Sequence, residues 1–197
     1  MTKLQIFRYI LLFFSTFFIT SCQNKSLKDE IKSNEIDKAS VEHENHAYDE
    51  HGLSHSIAII KTVHGQLQLK FYIKQAPNTS KRIIKLIRDG FYDGLEFHRV
   101  VNDFIIQTGS PDGSLAGGSG MRLKAELSDL KHIRGSVSMA RRANDIDSAD
   151  SQFFITLKAS EELDGKYTVF AQVFKGFEVL DKIKLRDRII TMEYISN

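Results

Sequence analysis

The 197-residue chain has a single cysteine, Cys22, which excludes an internal disulfide. It has no marked excess of either charge: the formal net charge is +2, and no arginine-rich tract occurs, which argues against nucleic acid as a partner. Nor does it contain the roughly 20 consecutive apolar residues that a comfortable membrane-spanning helix needs. What is present, 42% hydrophobic and 26% charged residues, is the balance of a globular protein with room for one domain plus extensions.

The modest net charge hides three zones. Residues 1–22 carry +2, residues 23–55 carry −4 and the remainder carries +4. In the first zone Lys3 and Arg8 precede the apolar run Ile10–Ile19, the layout of a secretory signal. Ile19-Thr20-Ser21-Cys22 then resembles a bacterial lipobox, which implies cleavage before Cys22 and lipidation of Cys22. Lipidation would hold the protein at the cell envelope, on an extracytoplasmic face, through an acyl anchor.

The second zone, 23–55, is rich in charged and small polar residues and nearly lacks aromatics, so it reads as a flexible tether. His43, His46, His51 and His55 within it invite a metal-binding reading. No cysteine assists them and their neighbours are acidic, so a solvated linker is the expectation and no metal or cofactor is assigned.

The third zone, 56–197, carries the patterns of a folded domain. Ser56–Lys61 and Gln66–Ile73 flank His64-Gly65 as a hairpin would. Asn78 offers a helix N-cap, Ile83, Ile84 and Ile87 form a helical stripe, and Gly90 marks a stop. Apolar runs at 97–107, 135–140, 152–157 and 167–174 suggest strands, 176–183 a second short helix, and 189–195 a last strand. Many short strands with two helices point to a mainly β barrel or sandwich.

One run is anomalous. FHRVVNDFIIQTG, residues 97–109, embeds Arg99 and Gln107 among apolar residues, although burying either group without partners costs several kcal/mol. With GFYDGLEFHR at 90–99, RGSVSMAR at 134–141, SQFFIT at 151–156 and LDGKYTVFAQV at 163–173, this segment resembles the cyclophilin signature. The resemblance spans about 56–197 and implies an eight-stranded antiparallel barrel capped by two α-helices, working as a peptidyl-prolyl cis/trans isomerase. It implies that Arg99, Phe104 and Gln107 carry catalysis. Ile105, Phe154, Leu163 and Tyr167 would complete a proline pocket with Phe104, while Ala140, Arg141 and Gln152 line the peptide groove. The expected partners are proline-containing unfolded or extended polypeptides, met by a monomer. A peptide-binding module or holdase with incidental turnover is the alternative.

Two departures stand out. Glu162 occupies a position that is often tryptophan in the family, which implies weak cyclosporin binding, and the chain has no tryptophan at all. Arg141 and Arg142 stand where many relatives have asparagine and a small residue, so a basic groove rim is expected.

Overall fold

The structure is a computed structural model that describes His55 and residues 57–196. The expected signal segment 1–22 with Cys22, and the tether 23–55 apart from His55, lie outside the described residues.

Strands β1 (Ile57–Thr62) and β2 (Gly65–Phe71) form the expected hairpin, with Thr62 opposite Gly65. Gly65 has φ of 127°, a conformation open to glycine at little cost. The chain then enters α1 (Pro77–Arg88), whose Ile83, Ile84, Leu86 and Ile87 are buried along one face. Gly90, at φ 69°, follows its end as expected.

The start of α1 corrects the expected Asn78 cap. Pro77 opens the helix, its fixed φ suiting the first turn, and Ala76 before it offers no capping side chain. The N–H groups of Asn78 (3.0 Å) and Thr79 (2.8 Å), which have no partner within the helix, donate instead to the Glu126 carboxylate. The cap therefore comes from a distant loop.

The run 97–107 is not one strand. It folds into β3 (Arg99–Val101) and β4 (Ile105–Thr108), joined by a tight turn in which Asp103 takes φ of 57°. After the long loop come β5 (Ser136–Met139), β6 (Phe153–Thr156), a 3-10 turn at Glu161–Leu163 and β7 (Val169–Lys175). The second helix, α2, is only Phe177–Leu180, and β8 begins at Thr191 and ends at Ile195.

The eight strands make one sheet in the order β3-β4-β6-β5-β7-β2-β1-β8, every pairing antiparallel. Its two edges meet just ahead of β3 and β8, where Glu96 bridges Arg188. Gly94 N–H donates to Ile189 C=O and Phe97 N–H to Asp187 C=O, each at 2.8 Å. Closure into a barrel removes the open edges that would otherwise invite association. Helix α1 packs on β7 and β8, and α2 on β2. The main core gathers Leu67, Leu69, Phe71, Phe97, Ile106, Phe153, Ile155 and Phe170.

Candidate functional site

Period-two alternation decides which side chains leave the core. In β4, Ile106 points into the main core, whereas Ile105 and Gln107 point to the other face; in β6, Phe153 and Ile155 point inward and Phe154 outward. Register then aligns them: Arg99 lies opposite Gln107, and Gln107 opposite Phe154. A guanidinium, a carboxamide and a phenyl ring thus stand side by side on three neighbouring strands.

They line a groove of about 600 Å³. Arg99, Phe104, Ile105, Gln107, Ala140, Arg141, Gln152, Phe154, Leu163 and Tyr167 all border it. Every site residue named from the motifs within the folded zone is brought to one place; Cys22 lies outside the described residues. Leu115, Arg122, Ser148 and Asp150 also line the groove and were not identified from sequence. They arrive on loops whose only local signal is polarity. Glu162 is exposed and stands off the groove wall, so the rim is open at that position.

Inside the groove, Ile105, Phe154 and Leu163 form a small apolar cluster of their own, with Phe104, Ala140 and Tyr167 packed around it. Tyr167 meets Phe154 edge to face at 5.4 Å, and Arg141 lies over the other ring of the pair, Tyr167, at 4.7 Å. This notch is a small hydrophobic recess beside a cation.

The cation is oriented by a polar relay. Arg99 Nη1 donates to Gln107 Oε1 (3.3 Å), and Gln107 Nε2 donates to Gln152 Oε1 (2.8 Å). Gln152 Nε2 in turn donates to the carbonyls of Ser114 (3.0 Å) and Gly117 (2.7 Å). Because both amides are buried, each bond has only one sensible direction, and the loop carbonyls fix the orientation of the whole series. His98 Nε2–H also donates to Gln152 Oε1 (3.1 Å). Burial lowers its pKa below the usual histidine value, although the Gln152 bond and other contacts oppose this.

A second layer supports the notch from behind. His132 stacks on Phe154 with ring centroids 6.1 Å apart. Its Nδ1–H donates to Asp164 (3.0 Å), its backbone N–H to the same oxygen (2.8 Å), and its Nε2 accepts from Ser138 Oγ (3.0 Å). These bonds tie the turn bearing Leu163 to β5. Burial lowers the pKa of His132 against the opposing pull of Asp164, so the ring is held neutral. The motifs did not mark His132, Ser138 or Asp164 as site residues, although Ser138 stands inside RGSVSMAR and Asp164 inside LDGKYTVFAQV.

Gly109 lets the end of β4 approach this assembly. At φ 93° it lies so close to Ser151 that a Cβ would strike the Ser151 carbonyl oxygen and the Gln152 backbone.

Comparison with known proteins agrees with this geometry. A family model described as cyclophilin type peptidyl-prolyl cis-trans isomerase/CLD matches residues 57–192. A peptidyl-prolyl cis-trans isomerase of Synechococcus elongatus is 37% identical over 142 residues, covering 71% of this chain and 97% of its own. A crystal structure of a cyclophilin type peptidyl-prolyl cis-trans isomerase from Cryptosporidium parvum superposes with a TM-score of 0.68 at 31% identity, covering 72% of this chain and 98% of its own. A second structure of that protein, in the presence of the dipeptide Ala-Pro, gives 0.66 at 30% identity, over 72% of this chain and 99% of its own.

Proposed function

This chain belongs to the cyclophilin family of peptidyl-prolyl cis–trans isomerases, and on that premise we propose that its groove speeds X–Pro rotation in exported proteins as they fold. The observation that carries the reading is the convergence of Arg99, held by Gln107, with the notch of Ile105, Phe154 and Leu163. The Cryptosporidium parvum structure containing Ala-Pro supports a proline-bearing peptide as the guest.

Rotation about an X–Pro bond is slow because amide resonance must be broken, against a barrier of about 18–20 kcal/mol. Uncatalysed exchange takes about 10–100 s. Reaching about 10³ s⁻¹ needs roughly five decades, or about 7 kcal/mol off the barrier. The site must therefore fit the twisted amide better than either planar form. On twisting, the prolyl nitrogen regains a lone pair and becomes an acceptor. Arg99 supplies a permanently protonated fork; one arm is committed to Gln107, and the others serve the guest nitrogen.

Phe104, Ile105, Phe154, Leu163 and Tyr167 hold the pyrrolidine ring, so that one end of the bond is fixed while the other turns. Gln107 holds the substrate backbone ahead of the proline. The main chain at Ala140 and Arg141 pairs with the peptide, and Gln152 keeps Gln107 in place. No nucleophile or proton transfer is required.

The setting follows from the first zone: Lys3, Arg8, the run Ile10–Ile19 and the Ile19–Cys22 lipobox support export and a lipid anchor at the bacterial envelope. Residues 23–55 then act as a tether that lets a monomeric domain reach chains emerging at the membrane.

The deciding experiment is isomerisation of a proline tetrapeptide by the wild type and Arg99→Ala. A loss of about 10²–10³-fold is expected, the scale of one preorganised transition-state donor; full activity in the variant sinks the mechanism. For the anchor, labelled palmitate should enter the wild-type chain in a bacterial host and be absent from Cys22→Ser.

A further inference from the structure

Besides the notch and the polar relay, the groove is lined by Leu115, Arg122, Arg142, Ala143, Ser148 and Asp150. With Arg99 and Arg141, the groove as a whole presents four arginines against one carboxylate. That carboxylate is already committed: Asp150 accepts the N–H groups of Ser119 (3.0 Å) and Gly120 (2.8 Å) and the Ser119 hydroxyl.

Three of the four arginines each have a protein partner. Arg99 donates to Gln107, and Arg122 pairs with Asp145. Arg141 donates to the carbonyls of Lys166 (3.1 Å), Arg142 (2.9 Å) and Ala143 (3.0 Å).

Arg142 differs. It is exposed, and among the described residues its side chain makes no hydrogen bond or ion pair. Its backbone, by contrast, is held at both ends. The N–H donates to Ser148 Oγ (2.8 Å), whose own hydroxyl donates to Asp145 C=O (2.6 Å), and the C=O accepts from Arg141. An exposed guanidinium with no partner among the described residues, on a backbone held by hydrogen bonds and in a cationic wall, is open to an anion from outside.

We infer that Arg142 is a specificity-determining residue that favours substrates carrying Asp or Glu within a few residues of the proline. This rests on the groove being the isomerase site. A peptide that fills the groove would seat its proline in the notch and its carboxylate at Arg142. Partly exposed pairs are weak, so the expected preference is about three- to fivefold, and it should narrow as salt screens it.

The test uses the full chain and a set of proline peptides with Glu, Ala or Lys at each of three positions on either side. In the wild type at low salt, kcat/KM should favour Glu over Lys by about three- to fivefold at one or two of those positions. The ratio should fall toward one in Arg142→Ala and reverse in Arg142→Glu. Equal wild-type rates for Glu and Lys peptides, or an acidic preference that survives in Arg142→Glu, overturns the inference while leaving the isomerase reading intact. Absence of turnover for every peptide, Ala included, defeats the isomerase reading instead. The relative affinities of Glu and Lys peptides, from titration of wild type and Arg142→Glu, then decide the role of Arg142 separately.

Discussion

The Gln107 side-chain amide donates to that of Gln152 over 2.8 Å, and this bond ties the sheet that carries Arg99 to the loop at 114–117. Both glutamines are buried, at 6% and 5% exposure, so neither can turn to water if its partner is lost. The guanidinium is thus held through two successive amides.

Removing the middle of that series should be costly. Gln152→Leu leaves Gln107, His98 and two loop carbonyls each short of a partner. About 1–3 kcal/mol of stability should be lost in chemical denaturation, the penalty for unsatisfied buried polar groups. Tetrapeptide turnover should fall with it in the fraction that remains folded. An unchanged denaturation midpoint would show that the relay is not structural.

Charge alone should not replace Arg99. Arg99→Lys keeps the cation but loses the planar fork that serves Gln107 and a guest amide together. Its kcat should stay within about tenfold of Arg99→Ala, as expected if oriented donation matters more than field. Near-wild-type turnover would assign the effect to charge.

Acid should weaken the fold in a defined window. Burial lowers the pKa of His132 below its unfolded value of about 6.5, and His98 shifts the same way for the same first reason. Between the folded and unfolded values the unfolded chain binds protons that the folded one does not, so stability rises with pH there. Stability should be full above about pH 6.5 and decline as pH falls through that window. With no tryptophan to report, far-UV circular dichroism is the suitable probe. His132→Asn should show a shallower dependence; an identical slope would remove His132 as its source.

Glu126 should behave as a remote helix cap. Glu126→Ala frees the N–H groups of Asn78 and Thr79 and should cost about 0.5–2 kcal/mol, measurable by thermal or denaturant unfolding. Burial would raise the pKa of this carboxyl, but the bonds from Thr79 and Asn78 outweigh it and the net shift is downward. Its contribution is therefore present above the unfolded pKa, about 4.3, and is lost as pH falls through the folded value.

Local pattern carried much of this protein. Alternation around His64-Gly65 identifies the first hairpin, and Ile83, Ile84 and Ile87 identify the face of α1, because burial repeats with the period of the backbone. The pattern was less informative at 97–107. Ile105, Ile106, Gln107 and Thr108 are all buried, one face by the core and the other by the groove and its loops, so strand alternation vanishes and the turn at Asp103 goes unseen.

The sequence alone determined which residues carry the family's motifs and, through that resemblance, the barrel class, since these depend on matching short segments. Tertiary structure alone decided that segments 94–97 and 186–189 close the barrel, that Glu126 caps a helix far from it in sequence, and that Arg122, Arg142 and Asp150 share a wall with Arg99. Those pairings depend on how distant loops pack once the chain has folded, and no local periodicity encodes them.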